Sequence, residues 1–372
     1  MIVSDPISSG VSVQLNVINF LRSKLNGKFK VYVYWNCISA EPNRVSGLDP
    51  VDLVSSGRNF KMCRLFPKRF RSNEGILWVL SWFVESTLGI LAEDVKNVVS
   101  NNKIDYVVNI SSTIPCKSDI LIIQGIPFLE TLSNLSESSS SASMVRSLFW
   151  FPIFLLQRKL IVKFKSDSRK IYANSKYIKD YYENLGFKVT SVLHTVKNFS
   201  IFKRSTSGSS KDYVLSYIGK ETEIKTLIEL AKKGVKIITF GSKVPPGISI
   251  DYIKTFMQVE GHVSDDRLVR LYSNALFTAF PFTEEPFGYI PIESSLCGTP
   301  VVTYNKQGPL ETVCDGENGW LVNSREDFIS KALEIWNRKD SEIDPDRCIR
   351  FAKNKIDEFS SELEIDRMVT RE

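Results

Sequence analysis

The chain has 372 residues, 43% of them hydrophobic and 24% charged, and its 48 basic against 42 acidic side chains give a net charge of +6. That length exceeds one ordinary core and suits two α/β domains, while the composition excludes a disordered, collagenous or disulfide-scaffold protein. The charge describes a mixed surface more than a nucleic-acid arm; phosphate-bearing ligands, an anionic membrane surface and an ordinary slightly basic enzyme all fit it.

The opening MIVSDPISSGVSVQLNVINFLRSKL reads as a short strand, a turn around Gly10, and a helix carrying Val13, Val17, Phe20, Leu21 and Leu25. It lacks the basic and then apolar regions of a signal peptide, so a cytoplasmic location is expected. Strands are predicted at 30–35, 106–110, 120–123 and 170–173, separated by helical stretches, which makes this half a first α/β lobe. The polar tract SESSSSAS at 136–143 predicts a loop. The six dispersed cysteines form no CxxC pair and read as reduced thiols.

Two apolar stretches stand out in this half. Residues 148–156, LFWFPIFLL, contain Pro152 and precede Arg158, Lys159, Lys163 and Lys165; residues 76–90 include Trp78, Trp82 and Phe83. Neither reaches the eighteen or so apolar residues a membrane span needs. Two readings of 144–165 stay open: a peripheral contact with an anionic membrane surface, or a core helix with a basic C-terminal end.

RSTSGSSK at 204–211 marks a boundary, after which strand and helix alternate. Strands are predicted at 213–218, 235–240, 275–280 and 300–304, with helices at 223–233, 264–273, from Gly288, and at 324–337. The implied domains are 1–203 and 204–350, with a C-terminal helical segment, 351–372, returning to the first. Such βαβ order predicts a parallel, doubly wound sheet that takes its ligand at the carboxyl ends of the strands.

Residues 277–322, FTAFPFTEEPFGYIPIESSLCGTPVVTYNKQGPLETVCDGENGWLV, hold the densest constellation of candidate residues. An acidic loop with Glu285 leads into a helix starting at Gly288, and Glu293 lies one turn inside it. Gly288, Tyr289 and Ile290 would offer backbone N–H groups at the helix start, a ready diphosphate site. Asp344-Pro345-Asp346 mimics a metal-binding DxD, and Asp265 with Asp266 follow Ser264; both read as helix starts, where the dipole favours Asp.

This segment resembles the retaining GT-B glycosyltransferases of family four, whose donor domain carries an E-x7-E motif. Glu285 and Glu293 have that spacing, and EPFG and CGTPVV flank it as they do in the family. The resemblance implies two Rossmann-like domains facing a cleft and transfer of a hexose, with retention, from a nucleotide-diphosphate sugar to a glycan or lipid-linked acceptor. Glu285 would contact the transferred sugar beside Phe287, Gly288, Tyr289 and Ile290, and Glu293 would hold the ribose hydroxyls. No cofactor and no metal is implied, and no nucleic-acid partner.

Upstream, SYIGKETEIK resembles the family's strand, Gly, Arg and Lys segment, with Lys225 at the Lys position and Lys220 replacing the Arg. A lysine supplies charge to a departing phosphate without a guanidinium fork. Gly241, and His262 through its backbone, would neighbour the donor, and Gly10 its phosphates. Gln307 replaces the first Gly of a Gly-Gly-x-x-Glu segment, which leaves its Glu311 open between a place near the donor sugar and a plain helix position. ANSKY, 173–177, resembles the segment that closes the family's acceptor domain and is expected to be structural. The family's acceptor-domain His is missing, and two readings stay open for its place: Gln124 in ILIIQGIPFLE as a hydrogen-bonding group, or another residue. That departure keeps a catalytically impaired nucleotide-sugar-binding protein as an alternative. A DNA-modifying glucosyltransferase and a phosphorylase on the same fold are further ones, the first disfavoured by scattered basic residues and the second by the lack of a visible pyridoxal segment.

Overall fold

Short apolar runs, too brief to be helices and rich in Val and Ile, assemble into two all-parallel sheets. The computed structural model describes residues 1–3, 18, 21, 30–34, 53–54, 88–111, 114–125, 162–194, 199–205, 211–219, 221–242, 244 and 248–361. Gly10, Lys220, the tract 136–143 and most of both apolar stretches, 76–87 and 144–161, lie outside them.

The first sheet contains β1 (Ile2–Val3), β2 (Val33–Tyr34), β3 (Leu53–Val54), β4 (Val108–Asn109), β5 (Ser118–Ile123), β6 (Ser168–Ala173) and β7 (Ser191–Val192), in the order β3-β2-β1-β4-β5-β6-β7. The second contains β8 (Val214–Tyr217), β9 (Ile237–Phe240), β10 (Gln258–Val259), β11 (Thr278–Phe280), β12 (Val301–Tyr304) and β13 (Gly319–Val322), ordered β10-β9-β8-β11-β12-β13. In each sheet the order reverses once, between β1 and β4 and between β8 and β11. Ligands of open α/β sheets sit outside the carboxyl ends of the strands at such a switch point.

The helices that lie wholly among the described residues include α1 (Ile90–Asn101), α2 (Lys176–Asn184), α3 (Ile224–Lys232), α4 (Ile250–Lys254), α5 (Asp265–Asn274), α6 (Tyr289–Leu296), α7 (Arg325–Arg338) and α8 (Pro345–Ser361), and residues 162–167 are helical as well. Ile18 and Leu21, within the first predicted helix, are helical and buried. Asp265 and Asp266 open α5 behind the Ser264 cap, and Asp344 Oδ1 accepts the Asp346 N–H where α8 begins. Both acidic pairs are therefore helix starts.

Period-two alternation explains the two core layers of the second sheet. Val214 and Ile237 pack on one face with Ile224, Leu227 and Ile228 of α3 and Phe328 of α7, whereas Leu215 and Ile238 pack on the other with Leu271 and Tyr272 of α5 and Ile292 of α6. The α3 set lies at helical spacing, so one stripe of that helix faces the sheet. Both faces are covered, as a parallel sheet requires.

Candidate active site

The loops after β8, β9, β10 and β11 converge at the carboxyl ends of the second sheet. Gly241 N–H donates to Gly261 O at 2.8 Å, which brings the end of β9 beside His262. Gly241 has φ +89°, and a Cβ there would stand 2.5 Å from Ile218 O, so only glycine lets these loops approach. Thr283 N–H donates to Glu221 O at 2.8 Å and ties the acidic loop to the segment between β8 and α3. Lys225 lies exposed in the first turn of α3. His262 is exposed as well.

Glu285 closes its own loop. Its Oε1 accepts the N–H groups of Phe287 at 3.2 Å and Gly288 at 2.9 Å, so the Gly288 donor expected to be open is engaged by this carboxylate. Such a carboxylate at the N-terminus of α6 is favoured by the helix dipole. Gly288 is the left-handed N-cap, at φ 102° and ψ 59°. Tyr289 and Ile290 form the first helical positions, whose N–H groups have no intrahelical acceptor. Pro291 fits for the same reason, since the first turn loses nothing by lacking a donor.

Glu293 is one turn further in and 5% exposed, with its Oε2 accepting the Tyr272 O–H at 3.0 Å. Burial, then the charge of Glu293 and the hydrogen bond to it, holds the Tyr272 phenol well above its ordinary pKa, so the phenol stays a donor. Phe287 closes the same loop. Its ring is 2% exposed and packs on His194, Tyr289 and Phe359, which makes the side chain an anchor for the loop.

The segment after β12 supports Glu285 from below. Gln307 Oε1 accepts the Glu285 N–H at 2.7 Å, and Gly308 N–H donates to Glu285 O at 3.0 Å. Gln307 sits at φ 59° and ψ −148°, a backbone state that suits the glycine it replaces and strains a side chain. A Cβ on Gly308 would lie 2.3 Å from Phe287 N. A cavity of ≈ 330 Å³ opens beside this support, lined by Glu223, Thr283, Tyr304, Lys306 and Arg325 among others. The Tyr304 phenol donates to Glu223 there.

Contacts from the first sheet, which spacing along the chain does not reveal, complete the site. Glu311, left open between two readings, ends the 3-10 helix Gly308–Glu311, where its Oε1 accepts the Lys176 N–H at 2.8 Å and its Oε2 lies 2.8 Å from His194 Nε2. Ser175 Oγ donates to Pro286 O at 2.6 Å and Tyr177 O–H to Glu284 at 2.6 Å. Gln124, at the end of β5, has its carbonyl fixed by Asn174 Nδ2 at 2.8 Å, and its neighbour Gly125 leaves room for only 3.4 Å between a built Cβ and Pro286. The Gln124 amide is buried, and neither its Oε1 nor its Nε2 has a hydrogen-bond partner among the described residues. Also among the described residues, no group of three or more His, Cys, Asp or Glu side chains is placed to hold a metal ion, and no helix is long and apolar enough to cross a membrane.

Two parallel α/β sheets, each reversing its strand order once, are the GT-B architecture, and comparison with known proteins agrees. Residues 253–355 match the family model for Glycosyl transferases group 1. The chain is 44% identical over 61 residues to the D-inositol 3-phosphate glycosyltransferase of Acidothermus cellulolyticus, covering 16% of this chain and 14% of that protein. It is 31% identical over 140 residues to the capsular polysaccharide biosynthesis glycosyltransferase CapM of Staphylococcus aureus, covering 33% and 36%. The matches thus span about a third or less of those two relatives. Among solved structures, Anabaena HepE in complex with UDP and glucose superposes with TM-score 0.60 at 16% identity over 99% of this chain and 96% of that one, a likeness of fold.

Proposed function

We propose that the chain is a retaining glycosyltransferase that moves a hexose from a nucleotide-diphosphate sugar to a glycan or lipid-linked acceptor. The observation that carries this reading is the placement of Glu285 and Glu293 on either side of one helix start, at the carboxyl-end switch point of the second sheet. A group 1 domain over the same residues and the GT-B fold support it.

In this reading Glu293 holds the ribose hydroxyls, and the loops at Gly241 and His262 flank the base through backbone atoms. The diphosphate lies toward Lys220, Lys225 and Gly10. The sugar meets Glu285 and the N–H groups of Gly288, Tyr289 and Ile290, so Glu285 must release the Gly288 donor or share it when the sugar arrives. As the C1–O bond to the diphosphate breaks, the lysines meet the growing charge, which is where fixed positive groups lower a barrier most. The acceptor hydroxyl attacks C1 from the face the diphosphate leaves, and its proton passes to the departing phosphate oxygen. Configuration is retained without an enzyme nucleophile.

Gln124 takes the place of the acceptor-domain His as an uncharged contact to the sugar. Its orphaned buried amide supports this, because such a group costs free energy until a ligand hydroxyl satisfies it. An anionic membrane remains the proposed site of a lipid-linked acceptor, through 144–165.

The test is a screen of UDP-, GDP- and ADP-sugars for transfer, hydrolysis and thermal stabilisation, since a ligand bound only by the folded state raises its stability. Stabilisation with turnover of one sugar supports the reading. Stabilisation without any turnover selects the catalytically impaired binding protein, and no stabilisation by any of them rejects both.

A further inference from the structure

The residues on either side of Glu285 touch the first domain, while the Glu285 carboxylate accepts the Phe287 and Gly288 N–H groups of its own loop. Glu284 accepts from Tyr177 at 2.6 Å, Pro286 O accepts from Ser175 Oγ at 2.6 Å, and the Phe287 ring lies 5.6 Å from that of His194. The 3-10 turn Gly308–Glu311 repeats the pattern at one remove. Gly308 carries Glu285 O at 3.0 Å, and Glu311 at the other end reaches Lys176 N–H and His194, each at 2.8 Å. His194 and Glu311 are only 3% and 9% exposed, so this contact is sealed from water.

The start of α2 is built for such a junction. Ser175 caps it by accepting from Ile178 N–H, yet the same hydroxyl donates its proton across to Pro286. The next donor, Lys176 N–H, has no intrahelical partner by geometry and finds a carboxylate 135 residues away. A helix start that satisfies itself with the other domain's carbonyl and carboxylate, and a loop gripped on both sides of its functional glutamate, are one device.

We propose that Ser175, Tyr177 and Glu311 are positioning residues forming a bolt between the domains, which fixes the backbone of 284–288 and so places the Glu285 carboxylate. The bolt rests on the glycosyltransferase reading for its purpose but not for its existence. The donor-sugar subsite is then complete only while the first domain is seated, whereas the nucleoside subsite around Glu293 lies within the second domain and stays formed without it.

Hydrogen exchange and kinetics on the full chain test this, using Glu311→Ala, Glu311→Gln and Tyr177→Phe. In the ligand-free protein, Glu311→Ala should raise amide exchange across 284–290 about tenfold and leave β9 unchanged, with Tyr177→Phe doing the same to a smaller degree. With substrate, kcat should fall about tenfold or more in Glu311→Ala while the Kd of the unphosphorylated nucleoside stays within about twofold. Glu311→Gln, which keeps an acceptor for Lys176 N–H, should recover most of both. Unchanged exchange at 284–290 in Glu311→Ala and Tyr177→Phe overturns the bolt whatever the activity. Equal loss of nucleoside binding and kcat also overturns it, because a merely structural residue would behave so. If the parent protein turns over no nucleotide sugar, the functional reading fails and the exchange comparison alone decides the bolt.

Discussion

Tyr272 and Glu293 meet inside the core of the second domain, the phenol donating to Glu293 Oε2 at 3.0 Å with the tyrosine fully buried and the carboxylate nearly so. One carboxylate oxygen is thereby held by the phenol. Glu293→Ala should weaken nucleotide-sugar binding by roughly 1.5 to 3 kcal/mol, about 10- to 150-fold in Kd, for loss of a charged acceptor. It should also lower stability, since the Tyr272 O–H is left buried without its partner. Tyr272→Phe separates the two effects: stability drops by about 1 kcal/mol and affinity changes less than about threefold. Calorimetric titration checks both, and equal loss of affinity in the two variants would remove Glu293 from the ribose.

Gln124 carries a conflict between stability and function. Both amide atoms are buried with no partner among the described residues. Gln124→Met removes that desolvation penalty at similar volume, so the ligand-free protein should gain about 1 kcal/mol, roughly 2 to 4 °C in Tm. Turnover should fall about tenfold if the amide serves the sugar. A variant that loses stability and keeps its kcat would show that the amide has neither role.

The doubly wound architecture was legible wherever an apolar run spans four or more residues, as in β8, β9 and β12, because alternation needs that length to register. Two-residue strands such as β3, β7 and β10 are set by neighbours in the sheet and carry no period of their own. The spacing of Glu285 and Glu293, together with Gly288, was enough to place both acids about one helix start. Glu311 and Ser175 were not legible in the same way. Glu311 finds its partners, Lys176 and His194, 135 and 117 residues away, and its nearest sequence neighbours suggest only a turn or a helix. The packing of Phe287 was not legible for a related reason: its ring fills the space between His194 and Phe359, which lie far from it along the chain.

Lys211 predicts how stability responds to alkaline pH. Burial, then the charge of Arg204, lowers its pKa to about 8, and its ammonium donates to Ala275 O at 2.8 Å. In the unfolded chain it would titrate near its ordinary 10.5. Between these values the unfolded state binds more protons than the folded one, so this residue's contribution to stability rises with pH from about 8 to about 10.5 and is flat below. Measured as the difference in Tm between the parent and Lys211→Met, the gap should move in favour of the parent as pH goes from 7.5 to 10. A constant gap would mean the lysine keeps its ordinary pKa in the fold.

Lys225 sits where helix electrostatics disfavour it. It is the second residue of α3, exposed, at the positive end of the macrodipole, where a cation costs roughly 0.3 to 1 kcal/mol. Leaving charge offers a reason for that cost, because a lysine and a helix N-terminus aimed together at a departing diphosphate reinforce each other. Lys225→Ala should therefore keep or slightly raise Tm while kcat falls about 10- to 100-fold. Its effect on binding of the unphosphorylated nucleoside should be under about twofold, since the charge is proposed to meet phosphate alone. Lys225→Arg keeps the charge and should retain most of the turnover. Steady-state kinetics with the nucleotide sugar found in the donor screen, beside nucleoside titrations, gives the comparison. If Lys225→Ala turns over as fast as the parent, the leaving group departs without this lysine, and Lys220 becomes the side chain to test for that charge.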